Sequence, residues 1–491
     1  MRRRIPLGPA LLALILLVAA DAVARDTVRI ELQLTPPHLD PTTTPSATTA
    51  EAVHLNVFEG LTRIDRKGRV QPLLAEAWRV EEEGRVLRLA LARGVRFHDG
   101  RRFDAETARF SLARLLDPEE GNPQRHLFAA IEAVEVVDDH TLRLHLSRPD
   151  ALLPYRLGLS AAVMVHPASA QANREAPVGT GPYRVDGWKD EALHLERFDD
   201  YWGDRPAIRA ARITFTANRI ELENSLSEGA IDLYPDGSSL SSHLQLAQRH
   251  DYVIEEGLSA GETLLAVNHA REPLGDRRVR RALAHAIDRQ AMLDIYPGIR
   301  PPLIGSHFSP LHPAYVDLAD RYPHDPQRAR ALLDEAGQAD GLRLHLVLPT
   351  TIYAERAGLY VAADLEAVGI EVTVERLGWR DWLERVFEAR DYDLTLISHV
   401  EPLDLDIYAR EEYYFNYRNP EFDALWARIE AAQEETERHA LLGQAQRLLA
   451  DDVAAVYLFL KPHQSIRKAR LEGAWRDAPI PAVPIAEMSW E

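Results

Sequence analysis

The sequence predicts an α/β protein. Three observations carry this expectation. Strand and helix signals alternate over residues 342–398, short segments of period-two hydrophobicity recur from residue 28 onward, and 46% of the residues are hydrophobic, enough for packed cores.

The first strand is expected at 28–34, where Val28, Ile30, Leu32 and Leu34 alternate with Arg29, Glu31 and Gln33. Pro36, Pro37 and Pro41 break the chain after it. Strands at 86–91 and 141–146 surround a helix over 104–116, with Asp104 as its N-cap. A helix is expected over 276–296, because Val279, Leu283, Ala286, Ile287 and Leu293 recur near a 3.6-residue period. Asp276 caps its start and Pro297-Gly298 ends it. Its Arg277, Arg278, Arg280 and Arg281 are expected on a solvated face with some ion pairing. Then come a strand at 342–348, a helix at 353–368 stopped by Gly369, a strand at 370–374, a helix at 380–389 and a strand at 392–397. In such lobes, loops beyond the carboxyl ends of strands border a ligand crevice. The loop that begins at Ser398 holds such a position.

The chain of 491 residues begins with Arg2, Arg3 and Arg4, an apolar stretch over 10–20 and the small-residue exit Ala22-Val23-Ala24. This is the pattern of an export signal cleaved after Ala24, and the apolar run is short for a membrane span. The mature chain is expected free in the periplasm. Loss of residues 1–24 removes three Arg and one Asp and takes the net charge from −19 to −21. An acidic surface argues against nucleic acid and against anionic lipid, both of which require clustered Lys and Arg. No Cys is present, which excludes a lipid-modified cysteine and any thiolate metal site.

Four segments recur in a recognisable order. Asn56-Val57-Phe58-Glu59-Gly60-Leu61 is followed by Pro72-Leu73-Leu74-Ala75-Glu76-Ala77-Trp78. Gly94-Val95-Arg96-Phe97-His98-Asp99-Gly100 comes second. Pro177-Val178-Gly179-Thr180-Gly181-Pro182-Tyr183 precedes Leu195-Glu196-Arg197 and Tyr201-Trp202-Gly203. The fourth runs from Asp276 through Leu283 to Ala286-Ile287-Asp288-Arg289. Together they resemble the extracytoplasmic solute-binding proteins, family 5, of ABC importers, the dipeptide, oligopeptide and nickel binders. The resemblance implies a two-lobed periplasmic binding protein of class II, a hinged trap with an extra subdomain inserted in the first lobe. By analogy, lobe I takes 25–55, 178–262 and 465–491, the inserted subdomain 56–177, and lobe II 263–464. The glycines of Gly179-Thr180-Gly181 are expected to permit positive φ in a turn, and no Gly-Lys-Ser/Thr follows to make it a phosphate loop. His98-Asp99-Gly100 is expected as a turn rather than a catalytic pair.

The loop His399-Val400-Glu401-Pro402-Leu403-Asp404-Leu405-Asp406 sits where dipeptide-binding relatives place an acidic loop for the ligand's α-ammonium. Those relatives carry Asp-Pro-Asp where this chain has Asp404-Leu405-Asp406. A carboxylate in a poorly hydrated cleft attracts an ammonium far more strongly than it does in water. The alternative is a surface turn with helix-capping aspartates. Arg356 matches, by the same resemblance, a position that grips the ligand carboxylate through a guanidinium fork. Otherwise it is an exposed Arg paired with Glu355 or solvent. Tyr408, Tyr413, Tyr414, Phe415 and Tyr417 crowd the region after the loop and serve as pocket wall or as core packing. His38 and His399 are the two histidines expected to approach one cleft.

The function expected is capture of peptides or peptide-like solutes and their delivery to membrane permeases, by a monomer without catalysis, cofactor or resident metal. A nickel or metal-chelate binder of the same family is the alternative. An exported hydrolase is a third class, because Gly257-Leu258-Ser259-Ala260-Gly261 matches GxSxG. That motif requires a helix after the nucleophile, and 262–267 instead has the pattern of a strand.

Overall fold

The computed structural model describes residues 25–491 except 217, 237–250, 297–298 and 402. The export signal expected over residues 1–24 and the helix stop at Pro297-Gly298 lie outside the described residues. The chain folds into two α/β lobes, each built on its own sheet.

The first lobe holds a seven-stranded sheet in the order Tyr252–Gly257, His463–Lys468, Leu233–Tyr234, Thr27–Leu32, Ala210–Phe215, Ala192–Arg197, Tyr183–Lys189. Thr27–Leu32 runs parallel to Ala210–Phe215 in unbroken register. Its alternation behaves as the period of two requires: Val28, Ile30 and Leu32 enter one core, while Arg29 turns away to Asp232 at 2.7 Å.

A four-stranded antiparallel sheet orders Ala75–Glu81, Val86–Leu91, Thr141–Leu146 and Ile131–Asp138. Its apolar face (Leu87, Leu89, Leu142, Leu144) packs on Ala105, Ala108, Leu112 and Leu115 of the helix Ala105–Leu116. Asp104 caps that helix, accepting from the Thr107 amide at 2.9 Å.

The second lobe holds a five-stranded sheet in the order Ile370–Leu377, Leu342–Pro349, Leu394–His399, Glu262–Val267, Ala455–Leu460. Helices cover both of its faces, so strands in the middle are apolar on both sides. In Glu262–Val267, Leu265 and Val267 enter one core, and Leu264 and Ala266 the other. Among the described residues, no helix is long and apolar enough to cross a membrane.

The chain passes from the seven-stranded to the five-stranded sheet through residues 258–261 and returns through 461–462. The two passages are tied together. The Lys461 amide donates to the Gly261 carbonyl at 2.7 Å, and Ser259 Oγ donates to the Lys461 carbonyl at 2.7 Å. Away from these passages, the four-stranded region touches the second lobe. Ala151 donates its amide to the Glu430 carbonyl at 2.9 Å, Arg148 pairs with Glu430 at 3.1 Å, and Leu152 packs into the second lobe's core.

Two helices differ from the sequence expectation. The periodic stretch at 276–296 is not one helix: Arg277–Ala286 ends where Ile287 turns extended, and Asp288 caps a new short helix, Arg289–Met292. The break is held by the Asp288 amide donating to Asp364 at 2.8 Å and by the Asp288 carboxylate accepting from Ala291. Nor is Arg280 solvated. Only 3% exposed, it donates to the carbonyls of Leu274, Gly275, Asp452 and Val453, and so closes the end of the helix Glu435–Asp452. The helix expected at 380–389 is a short α-turn, Trp379–Trp382, continued as a π-helix over Leu383–Glu388.

Candidate functional site

The Ser398 loop follows the carboxyl end of Leu394–His399 and runs into the 3-10 turn Asp404–Ala409, entered through Leu403 in the left-handed region. Asp404 is buried and accepts from both His307 Nε2 at 2.8 Å and His399 Nδ1 at 3.0 Å. Burial alone would raise its carboxyl; the charge and hydrogen bonds of His307, with those of His399, reverse this and hold it far below the usual range. The far nitrogens of the rings meet phenols: His307 Nδ1 lies 3.1 Å from the Tyr408 hydroxyl, and His399 Nε2 lies 3.1 Å from that of Tyr414. Tyr457 donates to Tyr408 at 3.2 Å. A six-membered chain of polar groups, Tyr457–Tyr408–His307–Asp404–His399–Tyr414, therefore runs through an aromatic core, with Phe415 and Tyr417 packed against it.

This geometry places the sequence-nominated residues differently from one another. Asp404, His399 and Tyr408 come together, but with His307 as their common partner. Asp406 does not join them; Arg410 grips it at 2.8 and 3.0 Å. Glu401 is exposed and accepts from the Val400 amide. His38 is part of the proline-rich turn, where its Nδ1 accepts from the Asp40 amide at 3.3 Å, and it is not in the His307–His399 cluster. Arg356 is exposed on the helix Ile352–Ala367 and donates to the Ile295 carbonyl at 3.2 Å; Glu355 faces Arg376 instead.

A second set of groups interacts electrostatically between the lobes. Glu51 projects from the helix Ala47–Val53 and makes no hydrogen bond to another described residue. Burial, with the nearby charge of Asp236, pushes its carboxyl up to about 7 against the pull of Lys461. In the second lobe, burial raises the Tyr296 hydroxyl, with the charges of Tyr353 and Asp236 adding and Arg356 opposing. Asp236 of the first lobe thus acts on Tyr296 of the second. Asp236 therefore links two sets of charges: it acts on Glu51 together with Lys461, and on Tyr296 together with Arg356. Only Arg356 was nominated from the sequence. Glu51 gives no local signal, because an acid on a short helix looks like any solvated acid.

The four recurrent segments lie elsewhere and serve the frame. Glu59, 1% exposed, accepts from Thr180 Oγ1 and the Tyr201 hydroxyl at 2.8 Å and from the Trp202 indole at 3.0 Å. His98 Nε2 reaches the Gly181 carbonyl at 2.9 Å, and burial lowers its imidazole to about 4. Asp99-Gly100 is the expected turn, closed by the Gly100 amide on Phe97 at 2.8 Å. The glycines at 179 and 181 differ from expectation: neither has positive φ. They are required by close approach, since a Cβ at 179 would stand 1.9 Å from the Val57 carbonyl oxygen and one at 181 would stand 2.4 Å from that of Asn56.

A sequence profile described as "Bacterial extracellular solute-binding proteins, family 5 Middle" matches residues 69–420. The chain belongs to this family. Among curated relatives it is 28% identical to "Di/tripeptide-binding protein 2" of Pseudomonas aeruginosa, over 92% of this chain and 93% of that one. It is 27% identical to the "Probable D,D-dipeptide-binding periplasmic protein DdpA" of Escherichia coli, over 96% of both. Two solved structures share the fold: HbpA2 from Haemophilus parasuis, with a TM-score of 0.84 at 20% identity, and DppA from Helicobacter pylori in complex with the peptide STSA, at 0.79 and 21%. Each covers 95% of this chain, and the match spans 100% and 98% of those chains respectively.

Family 5 is a family of binding proteins, and the GxSxG match of this member fits that role. Ser259 stands between the strands Tyr252–Gly257 and Glu262–Val267, with no helix behind it. Its hydroxyl is spent on the Lys461 carbonyl and on the Gly261 amide at 3.2 Å. In this family-5 chain the serine fastens the two inter-lobe passages.

Proposed function

We propose that this chain is the solute-capturing component of an ABC importer and that it takes short peptides or peptide-like solutes between its lobes. The observation that carries this reading is the pair of tied passages joining two separately cored α/β lobes, which lets the lobes close on a guest by small rotations about 258–261 and 461–462. The charges in the cleft fit a zwitterionic guest. Glu51, with Asp236 beside it, takes the ammonium end; Lys461 and Arg356 take the carboxylate end. Asp404 and Asp406, engaged by His307, His399 and Arg410, are less suited to the ammonium than the sequence resemblance implied. Relatives named for di- and tripeptides support the peptide class. The closed, loaded form is the one that docks on membrane permeases, after export of the chain to the periplasm.

Titration calorimetry of the mature chain with di- and tripeptides tests this. Micromolar affinity, about −8 kcal/mol, is expected together with contraction of the scattering radius on binding. Arg356→Ala should weaken peptides with a free carboxylate and leave amidated ones unchanged. Absence of both binding and contraction across a peptide library would remove the proposal.

A further inference from the structure

The polar chain through the aromatic core of the second lobe has the composition of a metal centre. We propose that His307, His399 and Asp404 form a resident site for one divalent first-row transition ion, bound by the protein itself and distinct from any guest in the cleft.

The geometry supports this at three levels. One ligand atom from each of the three residues lies within 4.8 Å of the other two, and all three residues are buried. Bonds of about 2.0–2.2 Å to a tetrahedral ion place ligand atoms about 3.4 Å apart. The carboxylate oxygens already stand 2.8 and 3.0 Å from the two ring nitrogens, so insertion needs only that these contacts open slightly and the rings draw together. The outer shell is also in place. With the ion on His307 Nε2 and His399 Nδ1, the opposite nitrogens carry protons and donate to the phenol oxygens of Tyr408 and Tyr414 at 3.1 Å, which fixes both tautomers and both ring planes. Finally, a cavity bordered by His307, Asp404, Ser309, Tyr155 and Glu262 gives access and leaves room for a fourth ligand. Glu262 is 5% exposed, is the cross-strand partner of His399, and hydrogen-bonds through its side chain to no other described residue.

Charge and donor type point the same way. Among the described residues, Asp404 pairs with the two histidines and with no Lys or Arg. A dication bound between the two rings would neutralise this buried carboxylate. Two imidazoles and a carboxylate, without sulfur, suit Zn²⁺, Ni²⁺ or Cu²⁺ rather than Cu⁺ or Ca²⁺.

The test uses the mature full chain, stripped with chelator and kept free of peptide, so that its outcome is separate from that of the peptide proposal. One equivalent of Zn²⁺ or Ni²⁺ is expected to bind at micromolar or tighter affinity. Co²⁺ should give visible ligand-field bands of a four- or five-coordinate centre. X-ray absorption of the Zn²⁺ form should show two imidazoles and oxygen. His307→Gln and Asp404→Asn should each weaken binding at least 100-fold. Should these variants fail to fold, the absorption measurement on the unaltered protein decides alone. Absence of stoichiometric binding, a shell with fewer than two imidazoles, or equal affinity in folded variants would overturn the assignment.

Discussion

Replacing Glu59 by Ala removes one acceptor on which separate parts of the chain converge, and its cost follows from the partners. Thr180, fully buried, loses the acceptor of its hydroxyl at 2.8 Å, the one it has among the described residues, and a buried donor left unpaired costs about 1–3 kcal/mol. Tyr201 and Trp202 are half-buried, so water recovers part of their loss. Together the change should destabilise the protein by about 3–5 kcal/mol. Glu59→Gln keeps the volume but sets an amide NH₂ against a donor, and should cost about 2–3 kcal/mol. Acidity adds a second signature. Burial raises the Glu59 carboxyl from 4.5 to about 7, and the three donors oppose that rise. Between these values the folded chain holds a proton that the unfolded chain has released. The stability contributed by Glu59 is therefore greatest below pH 4.5 and declines as pH rises to about 7. Urea unfolding from pH 4.5 to 8, followed by tryptophan fluorescence, measures both effects. A Glu59→Ala midpoint unchanged at pH 6, with the same pH slope as the parent, would refute the claim that these segments depend on one buried carboxyl.

The other predictions follow from named contacts. Gly179→Ala, whose Cβ would meet the Val57 oxygen at 1.9 Å, should cost more than about 4 kcal/mol or prevent soluble expression; a melting temperature within a few degrees of the parent would contradict the close approach. Arg280→Ala strips donors from four carbonyls and should cost about 3–5 kcal/mol, whereas exposed Arg277→Ala should stay within about 0.5; calorimetric melting separates the two. Affinity for a dipeptide with a free amino end should fall as pH drops below about 7, where Glu51 takes up a proton, by up to about tenfold per unit. Glu51→Gln should flatten that profile, and a parent profile already flat from pH 5.5 to 8 would exclude Glu51 from the ammonium site. Ser259→Ala should lower stability by about 1–2 kcal/mol, because the passage residues lose their hydroxyl link; an unchanged unfolding midpoint would show the link to be idle.

Local pattern was a good guide wherever one element decides its own structure. The alternation at Val28–Leu32, the Asp104 cap and the strand–helix–strand run after residue 342 all appear in the structure, because strand period, capping and burial of one face are written within a few residues. The same holds for Ser259: the strand pattern that follows it excluded a nucleophile elbow, and the strand is there. The helix over 276–296 was overextended because Ile287 continues the apolar period, while the break at Asp288 depends on Asp364 across the lobe.

The sequence by itself determined the α/β class, the family and the frame-building segments, since these rest on periodicity and on residues that recur in fixed order. Only the tertiary structure decided which polar groups face one another. His307 lies far from His399 along the chain, yet it shares Asp404 with it, and Glu51 meets Asp236 and Lys461 only because two sheets are brought together at the passages. A carboxylate's role depends on which charges lie within a few ångströms and how much water is left beside it, and neither is a property of its neighbours in sequence.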